Sequence, residues 1–131
     1  MADELPDIGA TLDRRAMVRW AARAHCLLGA RFGEDLFSMP ALNMLFDLYV
    51  SEVRQPRSLT NLCAASKAPA RTALRVINRL VERDLLMRIP DPRDQRRVNV
   101  DLSPNGRQKL DDYFDALRVF LAEAQSSSLT S

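Results

Sequence analysis

The sequence predicts a mainly α-helical single domain with one small β-hairpin. Three observations carry this. The chain has 131 residues, enough for one buried core and too few for two. Apolar residues recur at three- and four-residue steps in five separate segments, and two short runs of strand character flank a tip rich in proline and arginine.

The first helix is read over residues 13–32, where Met17, Trp20, Ala21, Ala24, Leu27 and Leu28 form one stripe and Gly33 closes it. Ser38 caps a second helix, whose early Pro40 is tolerated because the first turn needs no amide donor. Leu42, Leu45, Phe46, Tyr49, Val50 and Val53 supply its buried face, and Gln55-Pro56 ends it. Thr60 opens a short third helix reaching Lys67, with Leu62, Cys63 and Ala65 on its apolar side, before a break at Ala68-Pro69. The fourth helix is read over residues 69–83 and the strands over 85–89 and 98–102. Ser103-Pro104 starts a last helix with the stripe Leu110, Tyr113, Phe114, Leu117, Phe120, Leu121 and Ala124 opposite Asp111, Asp112 and Asp115. Residues 126–131 read as a polar, frayed tail.

Composition narrows the chemistry. Hydrophobic residues make up 47% and charged residues 27%, the mixture of a globular protein and not of a disordered or membrane one. No apolar run approaches the roughly 18 residues of a membrane span. The first ten residues, acidic and interrupted by Pro6, do not resemble a signal peptide, so a cytoplasmic location is expected. His25 is the single histidine, and Cys26 and Cys63 stand far apart, so neither a metal set nor a disulfide framework is expected. No paired carboxylates, activated nucleophile or glycine-rich phosphate loop is present, and a catalytic role or bound cofactor is not expected.

The net charge is +2, but its distribution is uneven. Residues 54–97 carry 11 Lys and Arg against 4 acids, a balance of +7, which leaves −5 on the rest. Such a field suits a surface that neutralises phosphates. On the fourth helix, with Ile77 as the reference direction, Ala70, Ala73, Leu74, Leu80 and Val81 fall within about 60° of the core side. Arg71, Thr72, Arg75, Asn78, Arg79 and Glu82 fall on the opposite side, at about 100° to 220°. A solvated face ordinarily mixes signs to gain pairs one turn apart. This one has three arginines, two short hydrogen-bonding side chains and one acid, suited to phosphates and base edges: Arg to guanine, Asn to adenine, the Thr methyl to thymine. The tip at residues 90–97 holds three arginines and no apolar group except prolines, so it cannot enter a core.

Short helix, turn, basic-faced helix and arginine-tipped hairpin together make a winged helix-turn-helix. Over residues 58–106 the sequence resembles the MarR family of transcriptional regulators. The matching residues are Ser58-Leu59-Thr60, the stretch from Arg75 to Leu80, Arg83-Asp84-Leu85-Leu86, the Asp91-Pro92-Arg93-Asp94-Gln95-Arg96-Arg97 wing, and Leu102-Ser103-Pro104-Asn105-Gly106. Ser66 and Lys67 depart from the pattern, standing where an apolar residue and a glycine are common, and the region after the wing is shorter than in typical members.

The resemblance implies N-terminal helices over 11–54, helix-turn-helix and wing over 58–102, a C-terminal dimerisation helix over 103–124 and a tail over 125–131. It implies a homodimer on double-stranded DNA, with the helix at 69–83 in the major groove and the wing at 90–97 on the minor groove or backbone. The residues expected at the DNA are Thr60, Lys67, Arg71, Thr72, Arg75, Asn78, Arg79, Arg93, Asp94, Arg96 and Arg97. Arg96 or Arg93 would reach the minor groove, with Asp94 holding an arginine or closing the turn. Family members sense small ligands or oxidants, which nominates Trp20, Tyr49 and Tyr113 for an effector pocket and Cys26 for redox sensing. Packing roles are the alternatives for both. A winged-helix module that binds protein instead of DNA is the competing function.

Overall fold

The computed structural model describes residues 13–33, 38–51 and 57–130, with residues 124–130 as helix backbone. Among the described residues, five helices and three strands follow in order: α1 Arg14–Phe32, α2 Met39–Val50, β1 Arg57–Ser58, α3 Leu59–Ser66, α4 Ala70–Glu82, β2 Leu86–Pro90, β3 Val98–Leu102 and α5 Pro104–Thr130. The sheet is antiparallel in the order β1-β3-β2, with Arg57 opposite Val100 and Leu86 opposite Leu102.

Local chemistry sets the helix ends. Asp13 caps α1 by accepting from the Ala16 amide at 2.7 Å, and Gly33 closes it at φ 87°, its N–H bonded to the Gly29 carbonyl. Ser38 caps α2 through the Ala41 amide. Ser58, not Thr60, caps α3: its Oγ accepts from the Asn61 amide at 3.1 Å. The displacement has a cause, because pairing with β3 holds Ser58 extended, the backbone state an N-cap requires. Thr60 is left exposed in the first turn.

The core joins α2, α3, α4, the sheet and the inner side of α5, with Met44, Leu62, Ile77, Leu80, Leu85, Leu86, Val100 and Leu110 almost wholly buried. Removing such a side chain costs about 2 to 5 kcal/mol. Helix α2 touches α3, α4 and β3, so it buries Ala41, Met44, Leu45 and Leu48, with Leu42, Phe46 and Tyr49 packed beside them. Val50, expected inside, is exposed, because it projects on the side away from Leu48. The helix ends there; Val53 and Gln55-Pro56 lie outside the described residues.

Helix α1 packs on α5 through Ala16, Trp20, Ala24, Leu27, Leu28 and Phe32, and the Tyr113 hydroxyl donates to the Ala24 carbonyl at 3.2 Å. Met17 and Ala21, assigned to this stripe, point to solvent. The apolar stripe of α5 is thus covered largely within the chain, and Leu117 is buried. The helix also continues to Thr130, through the stretch expected to fray, while Ala124 lies among the side chains not described.

Candidate nucleic-acid interface

Helices α3 and α4 meet at a turn in which Lys67 adopts the left-handed conformation, φ 59° and ψ 24°. Glycine would relieve that strain. Here Ser66 supports the turn: buried, it donates from Oγ to the Cys63 carbonyl at 2.6 Å, accepts from the Ala68 amide, and offers its carbonyl to Asn43 Nδ2. The polar residue in an apolar position is therefore fully bonded and holds the two helices at their angle. Cys63 sits half-buried against the core, and burial pushes its thiol pKa up.

Helix α4 buries Ala73, Ile77 and Leu80, with Val76 and Val81 beside them. The inward direction lies nearer Val76 than the sequence periodicity placed it, which leaves Leu74 and Ala70 exposed. Arg71, Thr72, Arg75, Asn78, Arg79 and Glu82 are all exposed on the outer side, as is Lys67 in the turn before them.

The end of α4 is tied to the start of α5. Asp84 takes φ 57° just past the helix, its amide bonds the Val81 carbonyl, and the Leu85 amide reaches back to the Leu80 carbonyl. Leu80 and Leu85, both buried, complete this cap with an apolar contact. Ser103 Oγ donates to the Asp84 carbonyl and accepts from the Gly106 amide at 2.9 Å, while the Ser103 amide bonds the Leu85 carbonyl. A Cβ at Gly106 would lie 2.1 Å from the Leu85 carbonyl oxygen. This closeness is the physical reason for the Leu-Ser-Pro-Asn-Gly segment.

The wing tip is built from two carboxylate-closed turns. Asp91 Oδ1 accepts from the Arg93 amide at 2.8 Å, a bond that holds the Asp91 carboxyl below its usual pKa. Asp94 Oδ1 accepts from the Arg96 amide at 3.0 Å. The Nε atoms of Arg96 and Arg97 stand 3.8 and 4.0 Å from Asp94, so its hydrogen bond goes to backbone, and the Arg96 side chain stays 95% exposed. Arg93, Arg96 and Arg97 all project into solvent. Ser58, Leu59, Thr60 and Asn61 at the start of α3 line one cleft of about 570 Å³ together with Arg96, Arg97 and Val98.

Of the positions expected at DNA, the structure brings Thr60, Arg96 and Arg97 around this cleft and Arg71, Thr72, Arg75, Asn78 and Arg79 onto the outer side of α4. Sequence reading missed β1 and Arg88. The latter reaches from β2 to donate from Nη2 to Asn78 Oδ1. Its signal was the alternation of β2, which places Arg88 on the same side as buried Leu86.

The other nominated residues lie on α1, α2 and α5. Phe114 stacks on Tyr49 at 5.1 Å and meets Tyr113 edge-on at 4.9 Å. Tyr49 donates to Asp111 Oδ1 at 2.6 Å, and that bond, followed by burial, raises its pKa. Trp20 packs against the core with Nε1 buried and unpartnered among the described residues. Cys26 is exposed on α1. Among the described residues no group of His, Cys, Asp and Glu is placed to hold a metal ion, and no helix is long and apolar enough to cross a membrane.

A short helix, a tight turn, an arginine-bearing helix and a three-stranded sheet with a projecting hairpin define a winged helix-turn-helix protein. Residues 43–106 match the family model described as winged helix DNA-binding domain. RV1404 from Mycobacterium tuberculosis superposes with a TM-score of 0.70 at 22% identity, over 94% of this chain and 81% of that one. A probable transcriptional regulator from Pseudomonas aeruginosa is 28% identical, with a TM-score of 0.56 over 85% and 80% of the two chains. MepR from S. aureus in complex with DNA gives 0.59 at 20% identity, covering 88% of each chain. No curated relative matches in sequence. The chain has the winged helix-turn-helix fold of the MarR-type transcriptional regulators.

Proposed function

We propose that this chain is a sequence-specific, DNA-binding transcriptional regulator, and not an enzyme, acting in the cytoplasm as a homodimer. The observation that carries the reading is the outer side of α4, where Arg71, Arg75 and Arg79 stand exposed with Thr72 and Asn78 and a single acid, Glu82. Helix α4 enters the major groove, with Arg75 and Asn78 reading base edges. Lys67, Arg71 and Arg79 take phosphates. Arg93, Arg96 and Arg97 follow the minor groove or backbone, and the cleft beside Thr60 admits a backbone phosphate.

The second copy docks on the α1–α5 layer, where Met17, Val18 and Val119 are exposed apolar side chains, Val18 at 67% and Val119 at 59%. A two-fold axis there sets two recognition helices about 34 Å apart on an inverted repeat. Light scattering of wild type and of a Val18→Asp, Val119→Asp variant tests this: dimer becomes monomer while the fold, judged by circular dichroism, persists. A wild-type monomer that still holds a half-site tightly overturns the dimer.

The main test is a binding titration on duplexes selected from a random library. Contacts with roughly 6 to 10 phosphates per dimer give a slope of log K against log salt of about −5 to −9. Failure to bind any duplex at low salt favours a module that recognises protein instead.

A further inference from the structure

Asn78 is held from another element. Arg88 Nη2 donates to Asn78 Oδ1 across the gap between β2 and α4. A guanidinium only donates, so the amide orientation is fixed by chemistry: oxygen toward Arg88, Nδ2 away from it. Arg88 stands opposite buried Val100 and two positions from buried Leu86, so the side chain leaves the hairpin on the face turned toward the helix. Both partners are exposed. Their contact lies on the rim of the surface assigned to DNA.

An unconstrained asparagine in the major groove matches adenine, with Oδ1 accepting from N6 and Nδ2 donating to N7. Here the oxygen is turned toward Arg88, which takes one of its two acceptor sites. We propose that Arg88 is a specificity-determining positioning residue: by drawing Asn78 Oδ1 toward β2 it turns Nδ2 to the groove, which favours guanine over adenine. Guanine offers two acceptors, N7 and O6, to the two hydrogens of Nδ2. Adenine sets its own amino donor against them, and cytosine offers a donor where an acceptor is needed. This inference rests on the DNA-binding reading above.

The experiment selects duplexes with the wild-type chain from a random library, then measures binding to all four bases at each position of the selected site. Asn78→Ala identifies the position read by Asn78. At that position Arg88→Met should move the guanine-to-adenine affinity ratio toward adenine by roughly 5- to 100-fold, because the freed amide turns over. In the Asn78→Ala background, Arg88→Met should leave that ratio unchanged. In the free protein the Asn78 side-chain amide resonances should shift in Arg88→Met, with no change in circular dichroism. A loss of affinity equal for all four bases reduces Arg88 to a phosphate contact and overturns the inference while the DNA reading stands. Wild type that selects no duplex overturns the DNA reading and the inference with it.

Discussion

Helices α4 and α5 are both amphipathic, but they treat charge on their polar sides in opposite ways. On α5 the acids are answered within the chain: Asp111 by the Tyr49 hydroxyl, Asp112 by Gln108 Nε2 at 2.9 Å, Asp115 by Arg118 at 3.6 Å. On α4 three exposed arginines outnumber one acid, and the contact that Asn78 makes is with a further cation, Arg88. A side whose charges are answered internally serves the fold. A side that accumulates one sign raises the local field and waits for an external polyanion.

The comparison is broken most severely at the joint between the two helices. Gly106→Ala forces a Cβ against the Leu85 carbonyl and should cost about 3 kcal/mol or more in denaturant unfolding, or prevent folding. An ordinary glycine-to-alanine gain in α5 would mean that the joint yields. Arg75→Ala should do the reverse. Unfolding free energy should stay within about 0.5 kcal/mol of wild type, while discrimination at particular base positions falls by roughly 1 to 3 kcal/mol. Equal weakening on every sequence would move Arg75 from base reading to phosphate contact.

Smaller effects sharpen the contrast. Tyr49→Phe removes the hydrogen bond to Asp111 and should cost about 1 kcal/mol of stability, with specific DNA binding unchanged; a larger loss of binding than of stability would tie α2 to the interface. Tyr49 has a raised folded pKa, so its contribution is present below the free phenol value and is lost as pH rises through the folded one. Asp91 works at the other end. Its folded pKa is lowered by the Arg93 amide, so its contribution to the wing turn is present above the free carboxyl value and is lost as pH falls through the folded one. Amide shifts of Arg93 followed down the acid range check this, and no movement before global unfolding would rule it out.

Much of this was legible before any coordinates. Periodicity located five helices, and strand character, with alternation in the second run, located both hairpin strands, because those signals belong to segments that bury one side. The polar side of α4 was legible for the same reason. What escaped depended on contacts distant in sequence. Ser58 became the cap because β3 held it extended, and α2 buried more than one stripe because three elements surround it. Arg88 looked like one basic residue among many, and only the approach of β2 to α4 showed it bound to Asn78.

The joint at Ser103 and Gly106 also sets a mechanical tolerance. Its bonds fix where α5 departs from the end of α4, and α5 spans 27 residues, a rod of about 40 Å at 1.5 Å per residue. An angular error of about 5° at the base of such a rod displaces its far end by about 3.5 Å, roughly one base-pair step along a DNA strand. If the far end helps to position a second copy, play in the joint becomes misregister between the paired half-sites. In the proposed dimer, the closeness that excludes even a methyl group at Gly106 would limit how far two half-sites can fall out of step.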